Sequence, residues 1–384
     1  MNKRNAFHVL AAAVLAAAST ALAAPPPQAL KDVYADAFLV GTAMNADMVS
    51  GKDARAQALV PLHFNAITAE NAMKAEELHP EPGTWDFADA DAFVEFGQRH
   101  GLFMVGHTLV WHNQTPAWFF QDDDGAPAGP AVMRERMRDY IHTVAGRYAG
   151  KVQAWDVVNE QIGEDGQYRD TLWTRAYGGD GDALLRDAFR FAAEAAPDAE
   201  LYYNDFNAWR PEKRDGIVRM VRMLQEHGIR IDGVGIQGHW GLNYPSLTEI
   251  EAAIDAYHAA GVKVMVTELD VDVLPLTKEG QIIGQCMLHP QFQLPEFKRF
   301  LDPYREGLPD EVQRQLADRY AELFALFHRK RDKLARVAVW GIADDMSWKN
   351  GYPIPGRTNY PLLFDRQRQP KPALEAVLRV PQGR

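Results

Sequence analysis

Two stretches of the chain repeat one pattern. Trp155-Asp156-Val157-Val158-Asn159-Glu160 and Val264-Met265-Val266-Thr267-Glu268 are each an apolar, β-branched run that stops on a polar residue and a glutamate. Such a run reads as a buried strand carrying one functional side chain to its C-terminal end. A single strand-end glutamate is most often solvated or salt-bridged. A second copy changes the reading, because two carboxylates are the minimum equipment for acid/base or nucleophilic work on a glycosidic bond. Glu160 and Glu268 are therefore the candidate catalytic pair.

The elements that would position them alternate short and long. Strand patterns cover 38–43, 64–69, 102–106, 152–158, 201–203, 233–236, 262–267 and 337–340, and helical patterns lie between them at 87–100, 131–148, 183–196, 211–227, 247–260 and 310–331. A last helix is expected at 372–379. Eight βα units predict an α/β protein, a single closed (β/α)8 TIM barrel, with an open doubly wound sheet as the runner-up. Between the seventh strand and its helix lies a long insertion, 274–308; loops of that length are usually functional or mobile, and this one is expected over one end of a cleft.

Polar residues gather where these strands end, the barrel face that carries active sites. In chain order they are Asn45; Glu70 and Asn71 with Lys74; His107, Trp111, His112 and Gln114; Asn204 and Asp205; Gln237 and His239; Glu268 and Asp270; and Trp340 with Trp348. The opposite strand ends are bland. An aromatic and amide ring on one rim suits a sugar site, in which indoles stack on the pyranose and amides bind its hydroxyls. His107, His112 and His239 could instead be a metal cluster, but the Trp-rich rim suits sugar better, so no metal and no cofactor is expected. Trp85, Trp118, Trp173 and Trp209 read as packing residues, with Trp155 early in its strand, and Asp122–Asp124 as a solvated acidic loop.

The 384 residues are 47% hydrophobic and 24% charged, as in ordinary globular proteins with a large core. Residues 1–23 read as a signal peptide: Lys3 and Arg4, an apolar run from Val9 to Ala18, then Ala21-Leu22-Ala23 as a small-x-small cleavage site. That run is too short to span a bilayer, so residues 24–384 are expected to be one exported catalytic domain, periplasmic or extracellular, monomeric and without a membrane partner. Removing Lys3 and Arg4 with no acidic residue takes the net charge from −11 to −13. Such a surface argues against nucleic acid and anionic lipid and is compatible with a neutral polymer. Cys286 is the only cysteine and cannot form an intramolecular disulfide.

Several of these motifs, in this order, resemble glycoside hydrolase family 10, the retaining endo-β-1,4-xylanases. The resemblance runs from about Leu39 to Ala373 and rests on Glu70-Asn71 with Met73-Lys74, Gly106 to His112 with Gln114, Trp155 to Glu160, Gln237 with His239, Thr267-Glu268-Leu269-Asp270, Trp340-Gly341 with Ser347-Trp348, and Pro361 to Asp365. It implies Glu160 as acid/base and Glu268 as nucleophile, with the acid/base protonated near neutral pH and the nucleophile ionised. It implies further that Asn159 bonds the sugar 2-hydroxyl and that His239, fixed by Asp270, supports Glu268. Asn45, Glu70, Asn71, Lys74, His107, Trp111, Gln114, Asn204, Gln237, Trp340 and Trp348 would bind xylan or xylooligosaccharides. Ala75, Val105 and Gly238-His239-Trp240 depart from the commonest family pattern and bear on the cleft walls rather than on the reaction. Alternatives are a retaining barrel glycosidase for another β-1,4-glycan, cellulose or mannan, or a non-catalytic carbohydrate-binding protein.

Overall fold

The computed structural model describes residues 28–122, 124–274, 294–295, 301–352 and 355–383. Among the described residues nine strands follow one another: β1 Leu39–Met44, β2 Ala66–Ala69, β3 Phe103–Val110, β4 Ala154–Asn159, β5 Glu200–Asp205, β6 Gly233–Ile236, β7 His239–Gly241, β8 Lys263–Asp272 and β9 Leu334–Val339. Eight form a closed parallel ring in the order β1-β2-β3-β4-β5-β6-β8-β9 and back to β1. That closure excludes the open sheet. The ninth, β7, was not expected. Gly238 turns the chain at φ +86 just past Gln237, and β8 runs on to Asp272, so His239 to Gly241 can pair with its overhanging end, His239 opposite Asp270.

Alternation within β4 sorts its side chains. Ala154 joins Val105, Tyr202 and Met265 in an apolar layer inside the ring, where Arg336 lies over the rings of Phe103 and Tyr202. Trp155 points outward into the larger core between strands and helices. Its ring occupies the space a Cβ at Gly106 would need, 2.2 Å away, so only glycine fits on the neighbouring strand. Asp156 points in again, beneath the barrel mouth, and the expected placement of Trp155 far from the rim holds.

The helices of the outer layer include Ala88–His100, Pro130–Arg147, Gly181–Ala195, Pro211–Glu226, Leu247–Ala259 and Asp310–Arg329. Their start signals are local: Ser246 and Glu249 form a reciprocal capping box, and prolines open the helices at 130 and 211. Ala54–His63, between β1 and β2, is a helix the periodicity does not announce. Its apolar residues run around the axis, Leu62 is exposed, and Pro61 lies within it. Pro372–Arg379 packs on the 310–329 helix, and the Tyr34 hydroxyl donates to the Val377 carbonyl at 2.8 Å, joining the two ends of the barrel chain.

The expected signal peptide, 1–23, lies outside the described residues, as do Cys286 and most of the 274–308 insertion. From Leu301 the insertion is docked: Asp302 accepts from the Thr358 amide at 2.8 Å, and the Tyr360 hydroxyl donates to the Tyr304 carbonyl. No helix among the described residues is long and apolar enough to cross a membrane.

Candidate active site

Strands β4 and β8 lead into one cleft of about 680 Å³ at the C-terminal mouth of the barrel. Glu160 and Glu268 both line it. Asn204, at the end of β5, ties the two strand ends together: its Nδ2 donates to Asn159 Oδ1 at 2.8 Å and to Glu268 Oε1 at 2.7 Å, while the Glu160 amide donates to its carbonyl at 2.9 Å. Thr267 Oγ1 in turn donates to Asn204 Oδ1 at 2.6 Å. Every polar group of the Asn204 side chain is used within the protein. It is fully buried, so the expected sugar contact is corrected: Asn204 positions Asn159 and Glu268.

Glu268 accepts at both oxygens, from Asn204 at Oε1 and from His239 Nε2 at Oε2, 3.1 Å away. The other imidazole nitrogen, Nδ1, lies 2.9 Å from Asp270 Oδ2. Burial acts against protonating this ring, but Asp270 and Glu268 outweigh it and lift the imidazole to about 9. The ring thus lies between the two carboxylates, Nδ1 on Asp270 and Nε2 on Glu268. Asp270 also accepts from the Trp348 indole at 2.9 Å, and Lys349 stands 3.6 Å from it.

Glu160 likewise accepts at both oxygens, from Gln237 Nε2 and from the Trp111 indole, each at 2.9 Å. Gln237 and Trp111, expected to hold sugar, thus hold this carboxylate at the cleft wall. Burial raises the Glu160 carboxyl, but the Gln237 amide, His112, the Trp111 indole and Arg169 together bring it below the ordinary glutamate range. That corrects the expectation of a raised carboxyl. Around Glu160 these donors and cations outweigh burial and the more distant Asp205 carboxylate. Glu160 also adopts φ +61, an uncommon conformation for a glutamate, which turns its side chain away from the regular strand direction.

On the β2 side, Lys74 donates to Asn71 Oδ1 and Gln114 Oε1, both at 2.8 Å, and lies 4.9 Å from the Trp111 ring centre. Burial lowers the Lys74 ammonium and raises the Glu70 carboxyl. His107 is engaged from beneath by Asp156 Oδ2 at 2.9 Å and packs edge-on to Trp340. All of these side chains except Asp156 line the cleft, and so does Trp348, stacked on Tyr352. Asn45 does not. Its side chain accepts the Met48 amide at 3.0 Å and caps the short helix Ala46–Val49, a correction with a simple cause, since asparagine after a strand is as good a helix cap as a ligand.

The departures from pattern leave the cleft untouched. Val105 belongs to the inner apolar layer, Trp240 is buried against Phe327, and Ala75 opens the helix Ala75–Leu78. Trp173, expected to pack, supports the site indirectly through an indole bond to the Trp111 carbonyl at 2.9 Å. Residues that sequence reasoning passed over also line the cleft, among them Asn113, Glu164, Arg169, Phe206, Asn207, Asp272, Lys349 and Tyr352. Phe206-Asn207 and Lys349 simply continue motifs already noted. Arg169 sits nine residues beyond Glu160 in a loop, where no periodicity gives a signal.

The model of the family described as "Glycosyl hydrolase family 10" matches residues 29–380. The chain is 41% identical to an endo-1,4-beta-xylanase A of Xylanibacter ruminicola, covering 91% of this chain and 93% of the relative. It is also 41% identical to an endo-1,4-beta-xylanase of Geobacillus stearothermophilus, covering 91% and 98%. Among solved structures, a GH10 endoxylanase retrieved from a sugarcane soil metagenome superposes with a TM-score of 0.84 at 42% identity, over 92% of this chain and 99% of that one.

Proposed function

Because the chain belongs to glycosyl hydrolase family 10, we propose that it is a retaining endo-1,4-β-xylanase working by double displacement, with Glu268 as nucleophile and Glu160 as acid/base. The observation that carries this reading is the pair of carboxylates in one cleft, brought there by β4 and β8, each accepting two side-chain hydrogen bonds. Binding alone needs no such pair, so a non-catalytic carbohydrate-binding role is not favoured.

In the first step a Glu268 oxygen bonds to C1 of the sugar as the C1–O bond breaks, and the Glu160 proton passes to the departing oxygen. Water then attacks C1, giving its proton back to Glu160 and releasing Glu268, so the anomeric configuration is retained. Asn204 and His239 fix the attacking carboxylate without moving during the reaction, which is the economy of a preorganised site. Asn159, its oxygen held by Asn204, has its amide nitrogen free to donate to the 2-hydroxyl as positive charge develops on the ring.

Glu160 must carry a proton when the leaving group departs. A carboxyl held low by its donors can acquire it when bound sugar displaces water from its surroundings and strengthens its repulsion with Glu268. Glu70, Asn71, Lys74, His107, Gln114, Trp340 and Trp348 then hold the non-reducing-side sugars. Residues 1–23 we read as an export signal, on the strength of Lys3, Arg4, the apolar run and Ala21-Leu22-Ala23.

Initial rates on soluble xylan, carboxymethyl-cellulose and mannan test the proposal. Xylan should be hydrolysed fastest, with internal cuts that lower viscosity before much reducing sugar appears. A wild type that prefers cellulose or mannan would overturn the substrate while leaving the retaining mechanism to be judged by product configuration.

A further inference from the structure

We propose that Asp205 is a positioning residue for the acid/base: through Tyr203 it fixes the turn that aims Glu160, and its negative charge helps Glu160 keep a proton. The inference rests on the double-displacement reading above. Asp205 ends β5, and its side chain is fully buried without lining the cleft, so it touches no sugar. Its Oδ1 stands 2.8 Å from the ammonium of Lys213, which is fully buried too. Two ions stripped of water are a weak source of stability, and apolar side chains of the same volume would serve the fold as well. The pair therefore calls for a role beyond packing.

Hydrogen bonds connect Asp205 to both flanks of Glu160. The Tyr203 hydroxyl donates to Asp205 Oδ2 and accepts from the Ile162 amide, 2.9 Å away. That hydroxyl has a single proton. Given to Asp205, it leaves a lone pair of the oxygen for the Ile162 N–H, so the carboxylate sets the direction of a bond that ends on the turn. On the other flank, the Glu160 amide donates at 2.9 Å to the carbonyl of Asn204, the residue before Asp205. The Asp205 carbonyl accepts from the Gln237 amide at 3.0 Å, and the Gln237 side chain is itself a donor to Glu160. Between these ties Glu160 holds φ +61, a conformation that a non-glycine residue keeps only where its surroundings enforce it.

Asp205 and Glu160 also oppose each other's ionisation. Burial lifts the Asp205 carboxyl, Lys213 brings it down, and the charge on Glu160 lifts it again, to about 6. Repulsion is mutual, so a proton taken up by Glu160 releases Asp205 from that push. Asp205 then remains an anion against Lys213, and as an anion it makes the Glu160 proton harder to lose. Other groups facing Glu160 work the opposite way: His112, Arg169 and, from the β2 side, Lys74 favour its carboxylate. Around Asp205, Arg169 and Lys213 are cations, Glu164 is paired with Lys213 and Arg210, and the phenols of Tyr203 and Tyr257 are kept neutral by burial. Glu268 loses its charge to the covalent bond of the first step, whereas Asp205 keeps its charge throughout.

The test compares two substrates in wild type, Asp205→Asn and Tyr203→Phe. Xylohexaose needs a protonated acid to expel its leaving sugar, whereas dinitrophenyl xylobioside expels a phenolate that needs none. In Asp205→Asn the alkaline limb of kcat/KM on xylohexaose should move down by about one pH unit, while kcat/KM on the aryl substrate stays within about twofold of wild type. Tyr203→Phe keeps the carboxyl but removes its donor, so Asp205 holds its own proton to higher pH. The limb should move the same way by about half a unit, and the plateau on xylohexaose should fall about fivefold because the turn is loosened. Should Asp205→Asn not fold, Tyr203→Phe, which removes a single oxygen, carries the test. A limb that stays put in the folded variants, or an equal fall on both substrates, would mean that Asp205 and Tyr203 serve packing alone, and overturns the inference. If wild type does not cut xylohexaose at all, the xylanase reading itself falls, a result distinct from either of these.

Discussion

Gln237 Nε2 donates to Glu160 Oε1 at 2.9 Å, across the barrel mouth from β6 to β4. The bond favours the charged carboxylate, so it works against the protonated form that a general acid needs.

Gln237→Leu should therefore raise the Glu160 carboxyl. The alkaline limb of kcat/KM against pH, which reports the free enzyme's essential acid, should move up by about one unit, the equivalent of one charge-assisted bond. Trp111→Phe should move it the same way. The peak rate should fall in both, because orientation is lost. An alkaline limb that stays put, or moves down, would show that Gln237 does not govern this proton.

The two carboxylates should respond differently to removal. Glu268→Ala should abolish hydrolysis on every substrate, whereas Glu160→Ala should spare the first step on aryl xylosides whose phenolate leaves unaided, losing roughly 10²–10⁴-fold only where the leaving group needs a proton. Azide added to Glu160→Ala should restore turnover and give the β-azide, and the wild-type product followed by NMR should be the β-anomer. Equal loss of the first step in both variants on the activated substrate would reverse or void the assignment.

Much of this was legible in the sequence, and for physical reasons. Eight apolar runs alternating with helical periodicity define the barrel because each element must bury a face, and strand-end polarity marks the functional rim because the other rim needs none. Asn45 and Asn204 show where that logic stops. Asn45 follows β1 and Asn204 lies near the end of β5, but one amide caps a helix and the other is spent on Asn159, Thr267 and Glu268. Which partner an amide finds depends on loops whose course no periodicity sets. Arg169 was invisible for the same reason, and β7 because a glycine turn decides whether three residues pair with β8.

Trp348 carries two functions that a pair of substitutions can separate. Its ring walls the cleft, and its indole nitrogen donates to Asp270, which anchors His239. Trp348→Ala should raise the ratio of cellooligosaccharide to xylooligosaccharide turnover, since a wall against the C6 hydroxymethyl group is removed, while total activity falls. Trp348→Phe keeps most of the wall and loses the donor, so kcat should drop with the ratio little changed. Should both variants leave the ratio at its wild-type value, the ring stacks on sugar without discriminating.

His239 makes a pH dependence of stability that can be worked out in sign. Its imidazole lies at about 9 in the folded protein, against an ordinary 6.5, because Asp270 and Glu268 flank it in a buried site. A raised value means that the folded state binds the proton more tightly than the unfolded chain, so the stabilisation is complete below about pH 6.5 and disappears as pH rises through about 9. The interval corresponds to roughly 3 kcal/mol. His239→Gln keeps a donor but no titration, so its deficit relative to wild type in urea unfolding should be largest near pH 6 and shrink by about that amount by pH 10. A deficit that is the same at pH 6 and pH 10 would mean that the ring is neutral in the folded protein, and that Glu268 is held by a neutral hydrogen bond rather than by a cation.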